Sequence, residues 1–140
     1  MEMKEKFFEK YADDIERLSR DMAKRFADGR KLLTMGNGGS LCDALHFAVE
    51  FTHPIIEKRA AFPVVSLMTD IATMTAVSHD IDFSRAFVNQ LRLLGKPGDM
   101  ALAVRTSGQY PHLIYPLDEP HTNQMLPLHQ AVQARRRFHA

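Results

Sequence analysis

The chain has 140 residues, of which 45% are hydrophobic and 25% charged, and its formal net charge is +1. Those values describe one globular domain long enough to bury a core, with no bulk electrostatic case for nucleic acid or an anionic membrane as partner. A lone cysteine, Cys42, excludes an internal disulfide framework, and no 18-residue apolar run or signal peptide is present, so a cytoplasmic location is expected.

In chain order, Phe7, Phe8, Tyr11, Ile15, Leu18, Met22 and Phe26 recur at three- and four-residue steps in a charged background. This spacing predicts an amphipathic helix over roughly residues 4 to 28, ended near Gly29. "KLLTMG" is short, apolar and closed by Gly36, which predicts a buried strand. A helix should follow, capped by Ser40 with Asp43 three residues on, carrying Ala44, Leu45, Ala48 and Phe51 on its apolar face and ending before Pro54.

"FPVVSLMT" at 62–69 predicts a second strand, followed by a short helix from about Ile71 to Val77. Phe83, Phe87, Leu91 and Leu94 predict another helix, for which Asp82 is the better N-cap, stopped by "GKPGD". "MALAVRT" reads as a third buried strand. Strands alternating with helices predict an α/β fold with a parallel sheet, and such sheets bind ligands beyond the C-terminal ends of their strands. After Gly108 the pattern weakens, because Pro116, Pro120 and Pro127 fall where a helix or a further strand should run. An ordered block over 1–108 and a divergent tail over 109–140 are therefore expected.

The expected ligand ends are "MGNGGS", "LMTD" and "VRTSG". Gly36, Gly38 and Gly39 free the backbone for a close approach, and the amides at the start of the next helix favour an anion. The same stretch is also compatible with a plain tight turn. His46 and Glu50, four apart, share a helix face, where they can contribute to a metal site, pass a proton, or form an ordinary polar pair. Asp80 can bond sugar hydroxyls or precede the next helix. Cys42 reads as a small helix residue, since no His stands in an activating relation to it.

Together, "GNGGSLCDALHFAVEF", "FPVVSLMTD", "SHDIDFSRAFVNQL", "LGKPGDMALAV" and "TSG" resemble the sugar isomerase (SIS) domain family, and within it the phosphoheptose isomerases. The resemblance implies a three-layer α/β/α parallel-sheet, flavodoxin-like domain with a long N-terminal helix that packs in a homotetramer. It implies interconversion of sedoheptulose 7-phosphate and a glycero-manno-heptose 7-phosphate, on the route to lipopolysaccharide heptose. Carried over by position, Asn37, Gly38, Ser40, Asp80, Thr106 and Ser107 bind the substrate. Glu50 falls on the catalytic carboxylate, and His46 with Glu50 on ligands of a zinc ion. Proton transfer through an enediol needs such a base, and anchoring the phosphate at helix N-termini would set the reacting carbons under Glu50.

The match has gaps. Arg105 and Tyr110 replace hydroxyl residues of the family's phosphate loop, and His79 replaces an Asn before Asp80. Gln124 and His129 are spaced differently from the family's remaining metal and acid–base pair, so the C-terminal portion reads as incomplete, truncated or misread. These departures predict weak sugar-phosphate binding or none, and negligible turnover of sedoheptulose 7-phosphate. They also keep open a non-catalytic SIS scaffold, such as one that binds a replication initiator, and a sugar-phosphate sensor.

Overall fold

The computed structural model describes residues 2–56, 58–105 and 125–128. Its elements are α1 (Glu2–Ala27), β1 (Leu32–Gly36), α2 (Gly39–Thr52), β2 (Val64–Ser66), α3 (Ile71–Asp80), α4 (Phe83–Leu94), β3 (Met100–Val104) and β4 (Leu126–Pro127). The four strands are parallel, in the order β2-β1-β3-β4. All five residues of β1 are buried, as befits a central strand covered on both faces.

Side-chain alternation assigns the layers. Leu33, Met35, Ala101 and Ala103 pack on one side with Met74 of α3 and with Phe87 and Leu91 of α4. Leu32, Met100, Leu102 and Val64 pack on the other with Met22 and Phe26 of α1 and Ala48 of α2. The result is the expected α/β/α sandwich. Burying Phe87 and Leu91 almost completely is worth about 2 kcal/mol each, and removing either would open a cavity against β1 and β3.

The apolar stripe of α1 divides in two. Met22 and Phe26 are buried in the core, whereas Phe8 and Ile15 are exposed. Phe7, Tyr11, Ile15 and Leu18 line a groove of about 360 Å³ against Leu126, Pro127 and Leu128.

Three expectations change. The second strand is shorter than 62–69, because Pro63 lacks an amide and the chain turns after Ser66, whose carbonyl accepts from the Thr69 amide and hydroxyl. Helix α3 runs three residues beyond Val77, to Asp80, and Asp82 then caps α4 by accepting from the Ser84 amide. The sheet also continues beyond residue 108, since Pro127 does not break a strand. Leu126 donates to the Asp99 carbonyl at 2.9 Å and Leu128 to the Ala101 carbonyl at 2.8 Å, and the residue between them has its nitrogen on the outward side of the edge. An edge strand tolerates proline there. Thr106, Ser107, Tyr110, Pro116, Pro120, Gln124 and His129 lie outside the described residues.

At the N-terminal edge of the sheet a polar latch joins α1, β1 and β3. The side chain of Asp99 is 3% exposed; it pairs with Lys31 Nζ and accepts from the amides of Lys31 (3.1 Å) and Lys96 (2.8 Å). Arg25 reaches the Gly98 carbonyl at 2.7 Å. Burial alone pushes the Asp99 carboxyl up, but the hydrogen bonds from Lys31 and Lys96 and the Lys31 charge outweigh it, holding the group below its ordinary value. The unfolded chain therefore binds more protons than the folded one as acid is added. The latch's stabilisation is fully present above the unfolded carboxyl's pKa, about 3.9, and is lost as pH falls through the lower folded value. Asp99→Asn is expected to cost about 3 kcal/mol at neutral pH, because it leaves Lys31 without its counter-charge. The deficit relative to the unaltered chain should shrink in acid, which thermal melts between pH 7 and pH 3 would show.

Candidate functional site

The β1–α2 connection lies at the C-terminal edge of the sheet, where Gly36 pairs with Val104 of β3. Two glycines shape it for different reasons. A Cβ on Gly36 would come within 2.6 Å of the Ser40 carbonyl oxygen, so the first turn of α2 rests directly on the end of β1. Gly38 adopts φ 55°, a conformation that L side chains rarely take, and reverses the chain into the helix. Thr34 Oγ1 ties β1 to α2 by donating to the Ala44 carbonyl at 3.3 Å.

Ser40 is not the expected cap. Helix α2 begins at Gly39, Gly38 occupies the cap position, and no side chain caps it. Ser40 is buried, 5% exposed, because the tight approach at Gly36 draws it under the first turn. The Ser40 amide bonds to the Asn37 carbonyl and the Leu41 amide to the Gly38 carbonyl. Among the described residues the amides of Gly38 and Gly39 make no hydrogen bond, so these two remain for an anion at the positive end of the helix dipole. Asn37 is half-buried and Gly38 exposed beside them.

The end of β3 adds one feature. Arg105 follows Val104 there, and among the described residues its buried Nη1 has no hydrogen-bond partner. A buried guanidinium donor left without an acceptor is costly. Asp70, at the β2 end, is instead consumed locally. It caps α3 through the hydroxyl and amide of Thr73, which hold its carboxyl below the ordinary value.

His46 and Glu50 share a face of α2 as expected, with Nε2 and Oε1 3.2 Å apart. Their side chains are 74% and 47% exposed, on the side of α2 away from the buried Ala44 and Ala48. The pair offers one imidazole nitrogen and one carboxylate. Among the described residues no group of three or more His, Cys, Asp or Glu is placed to hold a metal. Catalytic zinc sites use three protein ligands, so these residues alone do not fit the zinc that the resemblance implies. Asp80 sits on the last turn of α3, exposed, with His79 Nδ1 at 2.8 Å. No hydrogen bond among the described residues joins it to Asn37 or Ser40. Cys42 is exposed, and the described residues include no helix long and apolar enough to cross a membrane.

One dimension constrains the chemistry. Glu50 lies eleven residues along α2 from Gly39, a separation of about 16 Å at the helical rise. Hydrogen-bond reach at the phosphate and the Glu50 side chain, which leans toward the helix N-terminus, both shorten the span that a ligand touching the two ends has to cover.

A parallel sheet flanked by helices, with a glycine turn and a helix N-terminus at its C-terminal edge, defines a three-layer α/β domain. The family profile described as the SIS domain matches residues 1–125. The chain belongs to the SIS domain family. Among its relatives, the phosphoheptose isomerase of Nitratidesulfovibrio vulgaris (strain Miyazaki F) is 38% identical over 115 residues, which are 82% of this chain and 55% of that protein. That of Desulfovibrio desulfuricans is 36% identical over 126 residues, 90% of this chain and 60% of the relative. The chain thus spans little more than half the length of these relatives. The phosphoheptose isomerase structure from Neisseria gonorrhoeae superimposes with a TM-score of 0.78 at 30% identity, covering 89% of this chain and 64% of that one. The Francisella tularensis structure gives 0.69 at 28% identity, covering 90% and 72%.

Proposed function

We propose that this chain binds a sugar phosphate and acts as a slow phosphoheptose isomerase, interconverting sedoheptulose 7-phosphate and the corresponding aldose in the cytoplasm. The observation that carries the reading is the pairing of His46 with Glu50 on α2, downstream of the glycine turn. The relatives that share this architecture are phosphoheptose isomerases. In this reading Glu50 takes the proton from C1 of the ketose, or C2 of the aldose, and returns it to the other carbon of the enediol while a proton passes between O1 and O2, and His46 orients the carboxylate. The amides of Gly38 and Gly39, Asn37 and the buried Arg105 donor favour the anionic and hydroxyl groups of the ligand. Ser40 supports the turn from beneath, and Asp80, Thr106 and Ser107 complete the ligand contacts. Zinc enters only where ligands beyond His46 and Glu50 are supplied, and no step above passes through it.

The exposure of Glu50 favours a site shared between copies, in which a second chain covers α2. A proton-transferring carboxylate open to water gains little from its surroundings, and an apposed surface would exclude that water. The unpartnered half of α1 supplies an adhesive face for such an assembly, which the resemblance makes a tetramer. Light scattering at micromolar concentration is expected to find an oligomer, and Phe8→Glu with Ile15→Glu is expected to shift it toward monomer. A well-folded monomeric parent chain would remove this part of the reading.

The functional test incubates the purified chain with sedoheptulose 7-phosphate and follows the aldose product. Slow, protein-dependent conversion supports the isomerase. Saturable binding of the sugar phosphate with no conversion would make the chain a sensor, and no binding would overturn the proposal.

A further inference from the structure

Helix α2 ends in an unusual way for a helix that carries a candidate base in its last turn. Its C-cap, His53, is followed by Pro54, and the terminal carbonyls are taken over by a residue well outside the helix. Arg59 Nη2 donates to the Glu50 carbonyl at 2.8 Å, and Nη1 donates to the carbonyls of Phe51 (3.3 Å) and Ala60 (3.0 Å). The Phe62 amide adds a bond to the Phe51 carbonyl at 3.0 Å. The same guanidinium lies over the rings of Phe62 and Phe51, at 4.7 and 5.3 Å. Those rings belong to an aromatic stack: Phe62 lies on Phe26 of α1 at 4.7 Å, and Phe51 lies on Phe47 at 4.7 Å.

We propose that Arg59 is a positioning residue for Glu50. Its planar fork spans two successive carbonyls, one of them Glu50's own, while its face is held by two rings fixed to α1 and α2. A cation at a helix C-terminus also opposes the negative end of the dipole. The last turn of a helix otherwise frays, and fraying here would move the Glu50 carboxylate and part it from His46. A lysine keeps the charge but lacks the fork and the flat face, so it cannot make the same clamp. The catalytic consequence rests on the isomerase reading above; the clamp itself does not.

The experiment compares the full chain with Arg59→Met, which keeps an apolar stem over the rings, and with Arg59→Lys. By NMR, Arg59→Met should speed exchange of the amides at 51–53 by about tenfold with those of β1 unchanged, as expected for a local opening. The His46 Nε2 resonance, which reports the 3.2 Å contact with Glu50, should move toward its value in Glu50→Gln. In turnover, kcat should fall about 10- to 100-fold with KM within twofold, as misplacement of a base by about 1 Å would produce. Arg59→Lys should recover only part of the loss. An unmoved His46 resonance, or a loss confined to KM, overturns the proposal. Absence of Glu50-dependent turnover in the unaltered chain, with the resonance shifted as stated, would remove the isomerase reading and leave the clamp standing.

Discussion

Glu50→Gln is expected to lower conversion of sedoheptulose 7-phosphate by about 100- to 10,000-fold while leaving the fold intact. The amide matches the carboxylate in size but cannot accept a proton from carbon, so the chemical step loses its base. Since the side chain is 47% exposed, stability should change by no more than about 0.5 kcal/mol. Binding of the phosphate end should survive, because Glu50 is about 16 Å from the amides of the glycine turn. The loss belongs in kcat rather than KM. Parallel measurements of turnover, thermal stability and sugar-phosphate affinity separate these quantities. Equal turnover in the two proteins would show that another group moves the proton.

Gly36→Ala is expected to be strongly destabilising for a single added methyl. The added Cβ would sit 2.6 Å from the Ser40 carbonyl oxygen and 2.8 Å from its carbon. Both are backbone atoms in the first turn of α2, so relief requires the helix to shift rather than a side chain to rotate. Overpacking of this kind costs about 3 kcal/mol. The shift would also disturb the Gly38 turn and carry His46 and Glu50 with it, so activity should fall even where the protein stays folded. Gly39→Ala is the control: nothing lies within 4 Å of its added Cβ, and alanine favours a helical position by a few tenths to about 1 kcal/mol. Thermal melts that ranked the two variants the other way would contradict the close packing of β1 against α2.

Much of this architecture is written in local patterns. The α1 stripe, the apolar run of β1, the Phe87–Leu91 face of α4 and the Asp82 cap each depend on neighbours in sequence, and each is found where the spacing places it. The shared face of His46 and Glu50 follows from helical geometry alone. What sequence could not supply depends on distant partners. Ser40 has the right chemistry for a cap, but the contact between Gly36 and its backbone buries it, and that contact spans a strand and a helix. Pro127 looks like a strand breaker until the neighbouring amides at 126 and 128 are seen to face β3. Arg59 carried no signal, because its significance lies in carbonyls eight and nine residues back and in rings gathered from three segments. Asn37 was legible as part of the glycine turn, whereas Asp80, expected between two helices, lies on the last turn of α3.

The latch around Asp99 and the glycine turn stand at opposite ends of the same sheet. At the first, Lys31, Lys96 and Arg25 converge on the loop before β3 and saturate its polar groups. At the second, α2 has no side-chain cap, Gly38 holds a positive φ, and the Arg105 donor lacks an acceptor among the described residues. The molecule is therefore built like a hand tool with a fixed handle and an interchangeable head. Substitutions at Asn37, Gly39 and Arg105 can change this rim without asking the core to refold, whereas those near Asp99 can only weaken the grip. Divergence of ligand preference within such a scaffold needs few steps, and they are concentrated at one rim.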